Sequence, residues 1–227
     1  MAAVIQRASD HSLLVVFGHE ISLEHHQQVH ALTEKLLRQR PEFILNIHPA
    51  YSSVLVRFDP LQASAAEVKS YLTSLLDEAN EGPAIASRRV EIPVCYGGEL
   101  GPDLEYVAKH NSLAPEEVIA IHANATYRVY FIGFTPGFAY LGGMSSRIAT
   151  PRLDTPRVKV PAGSVAIGGN QTGVYPLSTP GGWRIIGRTP LLMFSPHREE
   201  PSLLRLGDEV RFRGISREEF EEMRGLT

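Results

Sequence analysis

Between residues 128 and 188 the chain changes texture, and this stretch restricts its folding more than any other. It holds 11 of the 19 glycines, and 7 Lys or Arg residues against a single acid, Asp154. Its apolar segments are short and broken by Gly or Pro: Arg128–Phe134, Val158–Val160, Ser164–Ile167, Val174–Tyr175 and Trp183–Ile186. Leu191–Phe194 and Glu209–Phe212 continue the series. Segments of this length and spacing read as strands. A set of short strands leaves edges unpaired unless the sheet closes, so a closed or nearly closed β-barrel is expected.

The N-terminal part reads differently. Residues 12–17 form an apolar strand, and Ser22 is placed to cap a helix running to about Arg40, with Val29, Leu32 and Leu36 on one stripe. Residues 43–47 and 53–58 flank a Pro-Ala-Tyr connection and suggest a hairpin. Ser64 opens a second helix with Val68, Leu72 and Leu75 at helical spacing, and Arg89–Tyr96 returns to a strand. The order β-α-β-β-α-β is that of a ferredoxin-like α/β domain. Glu81–Ser87, rich in small residues with Gly82 and Pro83, is the expected linker, which divides the chain into residues 1–87 and 88–227. Within the second part, short helices are expected near residues 101–108 and 115–122. Ser216 and Glu219 have capping-box spacing for a terminal helix.

Charge and composition exclude several classes. The net charge of −3 argues against general nucleic-acid binding, and no apolar run approaches the ~18–20 residues that span a bilayer. One cysteine, Cys95, rules out an internal disulfide and a thiolate-rich metal site; a buried, inert thiol is expected there, and the cytosol is the expected compartment. No P-loop, dinucleotide fingerprint, nucleophile elbow or H-E-x-x-H motif occurs. The loop Gly168-Gly169-Asn170-Gln171-Thr172-Gly173 lacks a P-loop lysine and reads as a hairpin. His26 and His30 have metal-pair spacing without a third ligand, and a solvated helix face is expected for them, with no metal.

What remains points to an anion. Gly133-Phe134-Thr135-Pro136-Gly137-Phe138-Ala139-Tyr140-Leu141 requires a sharp turn, since Pro136 sets one backbone angle and Gly137 permits a positive one. Its rings either fill a barrel corner or line a ligand loop. Pro180-Gly181-Gly182-Trp183 could offer unobstructed backbone N–H groups to an oxyanion. Arg152 and Arg157 repeat a Thr-Pro-Arg-like pattern; their planar forks suit carboxylate or phosphate, or else pin the loop through Asp154 and carbonyl contacts. Arg188 follows Trp183 by five positions, so the two face opposite sides unless a bulge intervenes. His122, at a helix end, is the best-placed general acid or base of the nine histidines.

Taken in order, these segments resemble the family of B subunits of bacterial ATP-dependent 5-oxoprolinase. The family also carries the labels Kip-type histidine-kinase inhibitor and allophanate hydrolase subunit 1. The likeness rests on Tyr96-Gly97-Gly98-Glu99 with Gly101-Pro102-Asp103-Leu104, Ile121-His122, Tyr127–Leu141, Thr150-Pro151-Arg152, Pro156-Arg157, Val160–Val165, Tyr175-Pro176 and Pro180–Thr189. It covers residues 88–227 at motif level and residues 1–85 only in pattern. The resemblance implies a small α/β domain followed by a cyclophilin-like β-barrel, working in a heteromeric complex. The C subunit would be the direct partner and the A subunit the third member, with ATP as the co-substrate for opening 5-oxo-L-proline to L-glutamate. On that basis Arg152, Arg157 and Arg188 would contact carboxylate or phosphate, and Gly181 and Gly182 would donate backbone N–H groups. Phe134, Pro136, Gly137, Phe138, Tyr140 and Trp183 would line the pocket, with His122 as proton carrier. The resemblance also leaves open a module that inhibits a sensor histidine kinase, or a carboxyl-transfer subunit of a urea or allophanate pathway.

Overall fold

The computed structural model describes residues 3–78 and 88–225, so the expected linker Glu81–Ser87 lies outside the described residues. The chain divides into two compact units, Met1–Ala86 and Ser87–Thr227.

In the first unit the elements are β1 (Val4–Ser9), β2 (Ser12–Val16), α1 (Leu23–Arg38), β3 (Ile44–Pro49), β4 (Ser53–Phe58) and α2 (Ala65–Asp77). The strands form one antiparallel sheet in the order β1-β2-β4-β3. Alternation along β2 and β4 turns Leu13, Val15, Val54, Val56 and Phe58 inward, where they meet Val29, Leu32 and Leu36 of α1 and Val68, Leu72 and Leu75 of α2. Ser22 caps α1 by accepting the His25 N–H, and Ser64 and Glu67 form a full capping box at α2.

The order is therefore ββαββα rather than the expected βαββαβ. Arg89–Tyr96 does not return to this sheet; β1 occupies the edge beside β2 instead. As an edge strand β1 is largely exposed and has no apolar alternation, which removes the signal that a sequence reading depends on. A second correction concerns His26 and His30, which are 1% and 5% exposed rather than solvated. They lie on the inward phase of α1 with Val29 and Thr33, their rings edge-on at 6.1 Å. Helical phase, not polarity, decided their burial.

The second unit contains β5 (Arg89–Tyr96), α3 (Leu104–His110), α4 (Pro115–Asn124), β6 (Tyr127–Ile132), β7 (Ala139–Gly142) and β8 (Arg157–Val160). There follow β9 (Ser164–Gly168), β10 (Gln171–Val174), β11 (Thr179–Gly181), β12 (Arg184–Arg188), β13 (Glu209–Gly214) and α5 (Arg217–Gly225). Seven strands close a barrel in the order β10-β7-β6-β13-β5-β12-β9, and β8 and β11 form a separate two-stranded ribbon. Four consecutive buried residues, Ile92–Cys95, show β5 to be covered on both faces. That continuous burial suits a strand paired in parallel, and β5 runs parallel to β13 while pairing antiparallel with β12.

Arg88 secures this junction. Its Nε and Nη2 donate to the two oxygens of Asp208 at 3.2 and 2.6 Å, just ahead of β13. The segment Leu191–Phe194, expected as a strand, makes only an isolated bridge between Phe194 and Ser202; Pro190 and Pro196 bracket it and deny it a ladder.

Asp208 is 4% exposed, so Arg88→Ala would strand a buried carboxylate. We expect a loss of about 3 kcal/mol in urea unfolding followed by Trp183 fluorescence. Arg213→Ala, which removes only the exposed pairs to Glu91 and Glu219, should cost under about 1 kcal/mol. Equal costs would show that the Arg88–Asp208 pair does not anchor the barrel.

Candidate functional site

Strand alternation places Val165 and Ile167 of β9 in the barrel core and Ala166 outside it. Around Ala166 a second apolar cluster forms from Phe138, Val160, Tyr175, Trp183 and Ile185, with Tyr140 packed against it. Phe138 is its hub: its ring meets Trp183 at 5.6 Å, Tyr175 at 5.5 Å and Tyr140 at 5.1 Å, all steeply inclined. These are favourable edge-to-face contacts. Glycine makes room for them, since a Cβ at Gly168 would lie 2.5 Å from the Trp183 indole nitrogen.

The turn of the nonapeptide supplies Phe138. Gly137 takes the positive φ expected of it, +81°, and packs against Phe194. Phe134 also has a positive φ, +66°, which is costly for a residue with a side chain. Its ring is 63% exposed and touches the edge of Phe138 at 5.6 Å, with Pro136 exposed at the same tip.

Two arginines converge on this cluster. The Arg152 guanidinium lies 5.7 Å from the centroid of the Trp183 ring. Arg157, paired with Gly181 across the ribbon, donates from Nη2 to Asp103 Oδ1 at 2.8 Å. The loop is thus pinned through Asp103 and not through Asp154; further ties run from Leu153 N–H to Gly182 O and from Arg184 Nε to Pro151 O. Arg157 Nη1 is buried with no hydrogen-bond partner among the described residues, as is Thr179 Oγ1 on the same ribbon.

Burial pushes the Tyr175 phenol up from its ordinary pKa, and the Trp183 backbone and the charges of Arg152 and Arg157 oppose that rise. The structure thereby gathers Phe138, Tyr140, Arg152, Arg157, Gly181, Gly182 and Trp183, with Phe134, Pro136 and Gly137 at the rim. Asp103, Tyr175 and Thr179 belong with them. Sequence reading assigns these three no site role: Asp103 and Tyr175 appear there only within motifs of the family likeness, and Thr179, on the short strand β11, carries no signal of its own. Among the described residues no group of three or more His, Cys, Asp or Glu side chains is placed to hold a metal, and no helix is long and apolar enough to cross a membrane.

His122 and Arg188 stand apart. Arg188 donates from Nε to Ala162 O at 2.8 Å and lies near Glu221 and Arg224 of α5; burial, then Arg224, lowers its pKa. His122 is 0% exposed, packed on Phe212 at 4.4 Å. Thr172 Oγ1 donates to Ala166 O at 3.1 Å and so accepts from His122 Nε2 at 2.8 Å, which leaves Nδ1 to accept the Tyr96 hydroxyl at 2.8 Å. Both ring nitrogens are engaged, and burial brings the pKa down to about 3. This is a neutral imidazole bracing the barrel, and it does not share the setting of Arg152 and Arg157.

Comparison with known proteins now bears on this geometry. The family described as carboxyltransferase domain, subdomain C and D, matches residues 3–204. The 5-oxoprolinase B subunit of Bacillus subtilis is 46% identical over 226 residues, covering 95% of this chain and 94% of that protein. The chain is a member of the 5-oxoprolinase B-subunit family. Among solved structures, an uncharacterized conserved protein of Pyrococcus horikoshii, PH0987, is 52% identical, with a TM-score of 0.58 over 96% of this chain and 100% of that one. TTHA0988 is 41% identical with a TM-score of 0.81, covering 90% of this chain and 40% of that one. The B-subunit likeness thus extends through both units, beyond the barrel motifs that first suggested it.

The neutral state of His122 in this B-subunit family member has a pH signature. Unfolded, the imidazole titrates near 6.5; folded, it stays neutral to about pH 3. The unfolded chain alone takes up this proton as pH falls below 6.5, so stability declines in that direction and is unaffected above it. Between pH 6.5 and 5, where carboxylates contribute little, the wild-type folding constant should fall by up to about tenfold per pH unit, and His122→Asn should flatten the slope. Equal slopes would refute the neutral assignment.

Proposed function

We propose that this chain is the B subunit of an ATP-dependent 5-oxoprolinase, opening 5-oxo-L-proline to L-glutamate together with the A and C subunits, its direct partner being the latter. The observation that carries this reading is the 46% identity to the Bacillus protein across nearly the full length of both chains. The geometry around Trp183 supports it: a cyclic amide with a carboxylate presents an apolar ring and one negative charge. The aromatic cluster and the two arginines offer the complementary surfaces.

A lactam carbonyl is a poor electrophile. In the proposed reaction its oxygen takes the γ-phosphoryl group of ATP, releasing ADP and activating the carbon for attack by water. The ring C–N bond then breaks with the proton going to nitrogen, and a second water releases inorganic phosphate. Negative charge lies on the phosphoryl group carried by that oxygen, where fixed donors such as Arg152 and the Gly181 and Gly182 N–H groups would stabilise it. ATP is a co-substrate of the complex; Arg157 is assigned to the substrate carboxylate, and neither His122 nor Arg188 has a chemical role in this scheme.

Purified alone, the chain should show no 5-oxoproline-dependent ATP hydrolysis, and adding the A and C subunits should restore it. Robust turnover by the isolated chain would overturn the subunit reading. Within the complex, Arg152→Ala should lower kcat/KM for 5-oxo-L-proline at least ~10-fold, equivalent to about 1.4 kcal/mol. Because Arg152 is exposed, its Tm should stay within about 1 °C of wild type. Unchanged kinetics would remove Arg152 from the site.

A further inference from the structure

Asp103 occupies the N-cap of α3, a position where an aspartate ordinarily accepts backbone N–H groups of its own helix and stabilises it. Its side chain makes no such bond. Oδ1 receives Arg157 Nη2 at 2.8 Å, and Oδ2 receives the Ile185 N–H at 2.7 Å. Its own backbone N–H donates to Ile185 O at 2.8 Å, so the residue is laced to β12 and is 6% exposed. A helix cap has been given up for a rigid platform beside the aromatic cluster.

The form of the pair matters. Arginine and carboxylate prefer a two-pronged contact in which two guanidinium nitrogens meet two oxygens. Here the second oxygen is committed to Ile185, so Asp103 takes one guanidinium nitrogen only. Arg157 Nη1 is left buried without a hydrogen-bond partner among the described residues, at a cost a folded chain rarely accepts without use. The same strand pairs Arg157 with Gly181, next to Gly182 and Trp183. Asp103 cancels one of the two arginine charges, so Arg152, Arg157 and Asp103 together carry a single positive charge, suited to a monoanion.

We propose that Asp103 is the positioning residue for Arg157, holding its half-buried guanidinium beside the aromatic cluster so that it donates to the carboxylate of the 5-oxoproline ring. This rests on the reading of the chain as part of a 5-oxoprolinase. Asp103 does not touch the substrate; it sets where the arginine stands and prevents it from swinging into solvent.

The test is steady-state kinetics of the reconstituted complex with Asp103→Asn, which keeps the acceptor for Ile185 and loses the charge. The expected result is a KM for 5-oxo-L-proline raised at least ~10-fold with kcat within about threefold. Inhibition by 2-pyrrolidinone, the same lactam without the carboxylate, should be unchanged. An unaltered KM, or equal weakening for the charged and uncharged lactams, overturns the proposal. Should Asp103→Asn fail to assemble, Arg157→Lys keeps the ion pair but removes the second nitrogen; the same selective rise in KM is expected, and an unchanged KM again overturns it. A wild-type complex without 5-oxoproline-dependent turnover would count against the functional reading instead. Asp103 would then be judged on the full chain alone: 5-oxo-L-proline should shift Trp183 emission in wild type and not in Asp103→Asn, and equal responses would overturn the proposal.

Discussion

β5 carries the second unit. It joins β13 in parallel and β12 antiparallel, and without it the sheet would end in two open edges instead of a closed barrel. The Arg88–Asp208 pair fixes where β5 begins relative to β13, and the run Ile92–Cys95 is buried on both of its faces. Closure in turn fixes β12, and with it Ile185, whose N–H and C=O hold Asp103. The placement of Arg157 therefore descends from barrel closure through two hydrogen-bonded steps.

The site is built on the outer surface of the barrel wall, where alternation turns Ala166 and Ile185 away from the core. A small residue at position 166 and glycine at 168 lower that wall, so Phe138 and Trp183 can lie close to the backbone. The β8–β11 ribbon then brings Arg157 alongside. His122 shows the contrasting use of polarity. It sits among Tyr96, Thr172 and Phe212 with every ring nitrogen satisfied, and burial keeps it uncharged. Polar side chains thus occur in two settings: saturated inside the barrel, and left with spare donors beside the aromatic cluster.

Much of this could be read without coordinates. The helices opened by Ser22 and Ser64, the hairpin of β3 and β4, and most barrel strands follow from caps, alternation and Gly/Pro punctuation. Those signals are local, so they survive in the sequence. β1 and β11 carry too little apolar character to register, and His26 and His30 were misplaced because residue type outweighed helical phase. The arginines beside the aromatic cluster showed through local charge, yet Arg188 has the same composition signal as Arg157 and lies by α5 instead.

The chain's residues alone thus determined a barrel-forming second half, a sheet-and-helix first half and a surplus of arginine among glycines and rings. These depend on periodicity and backbone freedom, which neighbouring residues decide. Which strand completes which sheet, which arginine faces the aromatic cluster, and which carboxylate steadies it were settled only by tertiary structure. Asp103 and Arg157 are 54 positions apart, and no local preference links them. Only the closed sheet, by placing β12 against the start of α3 and the ribbon beside both, brings the acid and the guanidinium within a hydrogen bond of each other.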